Sequence, residues 1–144
     1  MKAFLDTSVL IATFYADHPH HSPSADLFLQ FGKNESCCAA HSLAEVYATL
    51  TRMPAPRRVS GDQSLLFLTD IRANLSIIAL NSDEYFQVLE SSGALGLAGG
   101  AIYDAVLGHC ALKADAETVF TWNTKDFLRL PQVISQRVRT PYHQ

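Results

Sequence analysis

The chain opens on a short apolar run, residues 2–5, that stops abruptly at Asp6-Thr7-Ser8. Those three residues are helix-capping types, and residues 9–15 then follow a helical pattern. This hand-over from buried strand to helix narrows the possible folds more than any other feature, because it recurs along the chain. A turn at Asp17-His18-Pro19-His20-His21-Ser22-Pro23 leads into a second helix, with Ala25, Phe28 and Leu29 at helical spacing and Gly32 as its stop. Residues 36–41 read as a strand. Ser42-Leu43-Ala44-Glu45 reads as a capping box opening a helix with Val46, Tyr47 and Leu50. The prolines at 54 and 56 break that helix. Beyond them come a helix from 61 or 62 to 72, a strand at 76–80, and a helix at 82–91 with Tyr85, Phe86 and Leu89 on one side. Gly99-Gly100 precede a longer helix, residues 101–114. A strand at 118–122, a helical turn at Asp126-Phe127-Leu128 and an edge strand at 138–140 complete the pattern. Such alternation implies an α/β fold: a central, mostly parallel sheet of four or five strands with helices on both faces. No internal repeat or low-complexity linker interrupts it, so residues 1–144 form one expected domain.

Composition removes several classes of function. With 48% hydrophobic and 17% charged residues, the chain is neither disordered nor collagenous. Its net charge of −3 is the wrong sign for bulk electrostatic binding of nucleic acid. A polyanionic partner must therefore be met by a local basic patch or by bound cations. Cys37, Cys38 and Cys110 lack zinc-site or C-x-x-C spacing, which predicts small buried thiols in a reduced, cytoplasmic protein. Asp6 interrupts any signal-peptide apolar region, and no run of about 18 apolar residues offers a membrane span.

In parallel α/β sheets, ligands bind beyond the carboxyl ends of the strands. Four carboxylates fall at that edge. Asp6 follows the first strand, and Glu45 lies in the first turn of the helix after the second. Asp104 lies in the first turns of the helix after Gly99-Gly100, and Asp126 just past the fourth strand, three residues after Asn123. Each has a local explanation: Asp6 as an N-cap, Glu45 as the capping-box glutamate, Asp104 as an acid favoured by the helix dipole, Asp126 as a cap for the turn after it, with Asn123 in an Asx turn. None of these explains why the acids crowd one sheet edge, or why Asp104 shares a helical face with Gly108 and Ala111. Converging carboxylates repel one another, and a hard divalent cation such as Mg²⁺ relieves that repulsion. Such an ion also lets a negatively charged chain hold a phosphodiester.

Asp6-Thr7-Ser8, Glu45 on the helix after a short strand, Tyr103-Asp104-Ala105 and Thr121-Trp122-Asn123-Thr124-Lys125-Asp126-Phe127 together resemble the PIN-domain ribonucleases. Leu50-Thr51-Arg52-Met53-Pro54 and Pro56-Arg57-Arg58 are similar to the VapC-type toxins within that family. The resemblance spans residues 2–140. It implies a three-layer α/β/α fold and a Mg²⁺- or Mn²⁺-dependent endoribonuclease, usually dimeric and inhibited by a small antitoxin that covers the acidic pocket. By position it implies Asp6 and Asp104 as the main metal ligands and Glu45 as a further metal or supporting carboxylate. The fourth place falls to Asn123 or to Asp126, and Thr7 and Thr121 stand as hydroxyls beside the acids. The implied reaction is hydrolysis of RNA by a metal-activated water, leaving 3′-hydroxyl and 5′-phosphate ends. The uncharged Asn123 keeps an alternative open: a weak or inactive PIN-like module that binds RNA or protein.

Arg52, Arg57 and Arg58 are candidates for holding RNA phosphates. His18, His20 and His21 are metal-ligand types but share one short turn without i, i+4 spacing. The glycines at 93, 96, 99 and 100 do not match G-x-G-x-x-G and no Lys-Ser or Lys-Thr follows, so a nucleotide cofactor is not expected.

Overall fold

The computed structural model describes residues 1–142; the last two residues of the expected domain, 143 and 144, lie outside the described residues. Five parallel strands form one sheet in the order β3-β2-β1-β4-β5. They are β1 (Ala3–Leu5), β2 (Ser36–Ala39), β3 (Ser76–Ile78), β4 (Thr118–Phe120) and β5 (Val138–Arg139). β1 is central, with Phe4 opposite Cys37 on one side and Val119 on the other. The chain moves outward from β1 first through β2 and β3, then through β4 and β5. That reversal puts the crevice beyond the carboxyl end of β1, where open α/β sheets bind ligands.

Every residue of β1 and β2 is buried, as expected of strands covered on both faces. The period of two divides them between two cores. Ala3, Leu5 and Cys38 face one layer, α1 (Thr7–Phe14), α2 (His21–Gln30), α3 (Ala40–Thr51) and α4 (Gly61–Asn74). Phe4, Cys37 and Ala39 face the other, α5 (Ser82–Ala94), α6 (Ala101–Lys113), α7 (Thr124–Phe127) and α8 (Gln132–Ser135). This is the three-layer α/β/α arrangement, and the sheet is wholly parallel.

α6 is buried on nearly all sides, with Ala105 through Gly108, Cys110 and Ala111 inside. The small-residue stripe below Asp104 has a packing reason. A Cβ on Gly108 would stand 3.0 Å from a Leu130 methyl and 3.1 Å from two Ile134 carbons. Glycine there lets the α7–α8 segment lie directly against α6. All three cysteines are buried free thiols, and burial pushes Cys37 and Cys38 up to about 12. Among the described residues, no helix is long and apolar enough to cross a membrane.

Several local expectations are corrected. α3 begins at Ala40, two residues before Ser42, with Ala39 at the N-cap and no side-chain cap. Ser42 instead lies 2.8 Å from the Thr7 hydroxyl, so the expected capping box does not form and Glu45 is released from that duty. Leu29 is 73% exposed, because α2 buries the stripe Ser24, Leu27 and Phe28, one position round from the expected face. Likewise α5 buries Val88 and Ser92 and leaves Phe86 66% exposed, with Tyr85 and Leu89 also outward. The strands are shorter than their apolar runs, and α8 lies in a stretch to which the sequence pattern assigns no element.

Candidate active site

Asp6 is the first residue past β1. Its backbone N–H still donates to the Phe120 carbonyl at 2.9 Å, so the parallel ladder itself fixes its position. Its side chain caps α1 by accepting from the Ser8 N–H at 3.4 Å. The same oxygen, Oδ2, accepts from the hydroxyls of Ser8 at 2.7 Å and Thr121 at 2.8 Å. The capping expectation is thus right, and it does not exhaust the residue. These bonds hold one rotamer in a buried setting. Burial pushes the Asp6 carboxyl above its ordinary range, against the hydrogen bonds from Ser8 and Thr121 that favour the charged form.

Thr121 serves two partners, since its Oγ1 also accepts from the Asn123 N–H at 2.9 Å. Ser8 Oγ accepts from the Trp122 N–H at 3.0 Å. The loop after β4 is therefore stitched to the start of α1 through the hydroxyls that orient Asp6. The Thr7 hydroxyl turns the other way and donates to Glu45 Oε1 at 2.8 Å, which ties α3 to α1.

Asp6, Thr7, Glu45, Asp104 and Asn123 line one cleft of about 210 Å³, with Ser8 and Thr49 beside them. Asp104 projects into it from the first turn of α6. Its carboxyl is pushed up to about 6, by burial first and then by the charges of Asp6, Asp126 and Glu45, with Arg129 opposing. Three acids distant from it in sequence thus act on Asp104 in space. Asp126 stands outside the cleft lining, ion-paired to Arg129 at 3.2 Å, and reaches Asp104 through its charge. It lies inside α7 rather than capping it, and Asn123, at the N-cap of α7, makes no side-chain cap bond.

Among the described residues, no three His, Cys, Asp or Glu side chains stand close enough to hold one ion between them. Mg²⁺ does not require that: it is commonly held by one or two carboxylates and keeps several waters. Asp6 and Asp104 fit such a site chemically, being hard oxygen donors whose negative charge Arg129 offsets only in part, in a cleft with room for water.

Arg52 lines a neighbouring hollow that shares Glu45 and Thr49 with the cleft. Arg57 and Arg58 lie outside the lining of both, in the α3–α4 connection, where Arg58 Nε donates to the Met53 carbonyl at 3.0 Å. The histidine turn forms no ligand cluster. His18 Nδ1 accepts from the His20 N–H at 3.0 Å, and His21 Nδ1 lies 2.9 Å from the Ala12 carbonyl. His109 is likewise occupied within its own helix, 2.7 Å from the Ala105 carbonyl. The residue that sequence reasoning missed is Ser8, read only as a capping type. Its signal was its place two residues after Asp6, where a side chain reaches back to a capping carboxylate.

A PIN-domain sequence profile matches residues 3–132. Ribonuclease VapC40 of Mycobacterium tuberculosis is 34% identical over 112 residues, covering 78% of this chain and 80% of that protein. Among solved structures, a toxin–antitoxin complex from Klebsiella pneumoniae superposes with a TM-score of 0.68 at 18% identity, covering 99% of this chain and 100% of its own. VapBC2 from Rickettsia felis, bound to a DNA fragment from its promoter, gives a TM-score of 0.66 at 19% identity, covering 97% and 98%.

Proposed function

The chain belongs to the PIN-domain family, and from that premise we propose that it is a Mg²⁺- or Mn²⁺-dependent endoribonuclease, the toxin of a toxin–antitoxin pair. The observation that carries the reading is the cleft that Asp6, Glu45 and Asp104 line together, where burial and then the neighbouring acids push the Asp104 carboxyl up to about 6. A ribonuclease among the relatives supports RNA as the substrate, and complexes among the structural neighbours support a small antitoxin as partner. Three buried free thiols support a cytoplasmic setting. We also propose that the chain works as a homodimer and uses no nucleotide cofactor.

Asp6 and Asp104 would hold the ion, with Glu45 beside them. The bound ion would supply positive charge to a phosphodiester and lower the pKa of a water. Ser8 and Thr121 fix the Asp6 carboxylate in one rotamer, so no reorganisation is needed on substrate binding. Thr7 bonds one oxygen of Glu45 and leaves the other to take a proton from the attacking water. Asp126, steered by Arg129, is the alternative base. The Asn123 amide can donate to a phosphate oxygen where an acid would repel it. Arg52, Arg57 and Arg58 would hold flanking phosphates. Attack by water rather than by the ribose 2′-hydroxyl leaves 3′-hydroxyl and 5′-phosphate ends.

The test is cleavage of RNA by purified protein, with the ends of the products identified. Cleavage should require Mg²⁺ or Mn²⁺, stop in excess EDTA and yield 5′-phosphates. Equal cleavage in EDTA, or 2′,3′-cyclic ends, would refute the mechanism. RNA binding without metal-dependent turnover would favour the alternative, a non-cutting module, to which the uncharged Asn123 lends support.

A further inference from the structure

The hollow next to the acidic cleft has about 410 Å³ of space and opens along one side of α3. His41, Glu45, Ala48 and Arg52 line it at positions i, i+4, i+7 and i+11, one stripe of that helix, and Tyr103 of α6 closes it opposite. Ala44 and Ala48 keep the floor low. The His41 and Tyr103 rings lie parallel, 8° apart in plane with centroids at 5.4 Å. Tyr103 remains 53% exposed despite that stack, and it directly precedes Asp104 in sequence. Glu45 and Thr49 belong to both cavities, so hollow and cleft adjoin.

We propose that this hollow is the seat of an unpaired nucleobase of the RNA, stacked on the Tyr103–His41 pair next to the bond that is cut, with the following phosphate on Arg52. The assignment rests on the ribonuclease reading above. Three observations carry it. A flat aromatic pair, with Tyr103 exposed and His41 half-buried beneath it, suits a base face and is tolerant of sequence. The pair adjoins the acid that would bind the scissile phosphate, so a strand in the cleft must pass it. Arg52 stands seven residues from Glu45, about 10 Å along α3, and supplies a cation to a chain whose net charge is −3. A paired base would present no face to the rings, so the hollow selects single-stranded or looped RNA.

The test uses a labelled single-stranded RNA of mixed sequence, about 12 nucleotides long, and the full chain, reading binding by anisotropy and KM by cleavage. Tyr103→Ala should weaken binding and raise KM about tenfold, the scale of one lost base–aromatic stack. Tyr103→Phe, which keeps the ring, should restore binding. Removing the base 3′ or 5′ of the cut, with the protein unaltered, should reproduce the Tyr103→Ala loss at one of those positions and add little to it. Arg52→Gln should lower the slope of log affinity against log salt by about 0.7, one single-strand phosphate contact. Binding unmoved both by Tyr103→Ala and by base removal, in protein that still cuts RNA, would overturn the platform, leave the nuclease reading intact and assign the hollow to a protein partner. Failure of the parent to bind or cut RNA would overturn both.

Discussion

The acidic cleft and the histidine turn both gather side chains of the kind that bind metals, and they are built in opposite ways. His18, His20 and His21 are neighbours in sequence, yet each ring is committed elsewhere. His20 stacks flat on Trp122 at 3.7 Å and meets Tyr142 edge-on, while His18 and His21 bond backbone groups. Burial, and then the charges of His20 and His21, hold the His18 ring below its ordinary range. Asp6, Glu45 and Asp104 come from three separate elements and face one cavity with their charges unbalanced. Closeness in sequence does not make donors converge; an uncompensated excess of like charge, held in place by other bonds, is the better sign of a cation site.

The contrast can be broken by substitution. Asp6→Asn and Asp104→Asn should each lower RNA cleavage by about 10²–10³-fold or more, the cost of losing one group from a preorganised charged site. His18→Ala should change the rate by less than about twofold, as a surface substitution far from the chemistry does. Initial rates on one RNA decide it, and a comparable loss in the histidine variant would reverse the comparison.

Next in size is Thr121→Val. It removes a buried hydroxyl from Asp6 and from the Asn123 N–H, and should cost about 1–3 kcal/mol in a denaturant melt. Activity should fall with it, because Asp6 loses a bond that fixes its rotamer.

The pH dependence of stability sharpens the same point. The Asp104 carboxyl is raised, so its neutral form is favoured in the folded chain. Its contribution to stability is fully present below the ordinary carboxylate value near 3.8 and is lost as pH rises through about 6. Asp104→Asn should therefore match the parent at low pH. Free of metal near neutrality, it should be more stable by about 1–2 kcal/mol, a figure already reduced for the half-exposed setting. Melts of both proteins in EDTA across this range measure the divergence. A constant difference would mean that neither burial nor the neighbouring acids raise the Asp104 carboxyl.

The smallest effect belongs to the histidine turn. His20→Ala removes the stack on Trp122 and should cost about 0.5–1.5 kcal/mol in a thermal melt, with no change in the metal dependence of cleavage.

Most of the frame is legible in the sequence because strand–helix alternation is written in local patterns. The five strands, the Asp6 cap and the edge carrying the acids need only period and turn chemistry. What escapes is set by tertiary contacts. Ser42 has the sequence of a cap, but α3 starts earlier and Ser42 packs on Thr7 instead. The apolar faces of α2 and α5 are each one position out, since neighbouring apolar residues on a helix leave two faces open and only packing chooses between them. Asp126 was placed with the other acids by spacing, yet its ion pair with Arg129 holds it at the margin, a contact within a turn whose geometry the spacing does not give. The Tyr103–His41 pair joins two helices distant in the chain, and no local pattern announces it.

Titration calorimetry with Mn²⁺ on the parent, Asp6→Asn, Asp104→Asn and a His18→Ala, His20→Ala double variant addresses the proposed cation site itself. The parent and the double histidine variant should bind the ion alike, and each aspartate variant should lose that binding. Undiminished binding in both aspartate variants, or its loss in the histidine variant alone, would contradict the account.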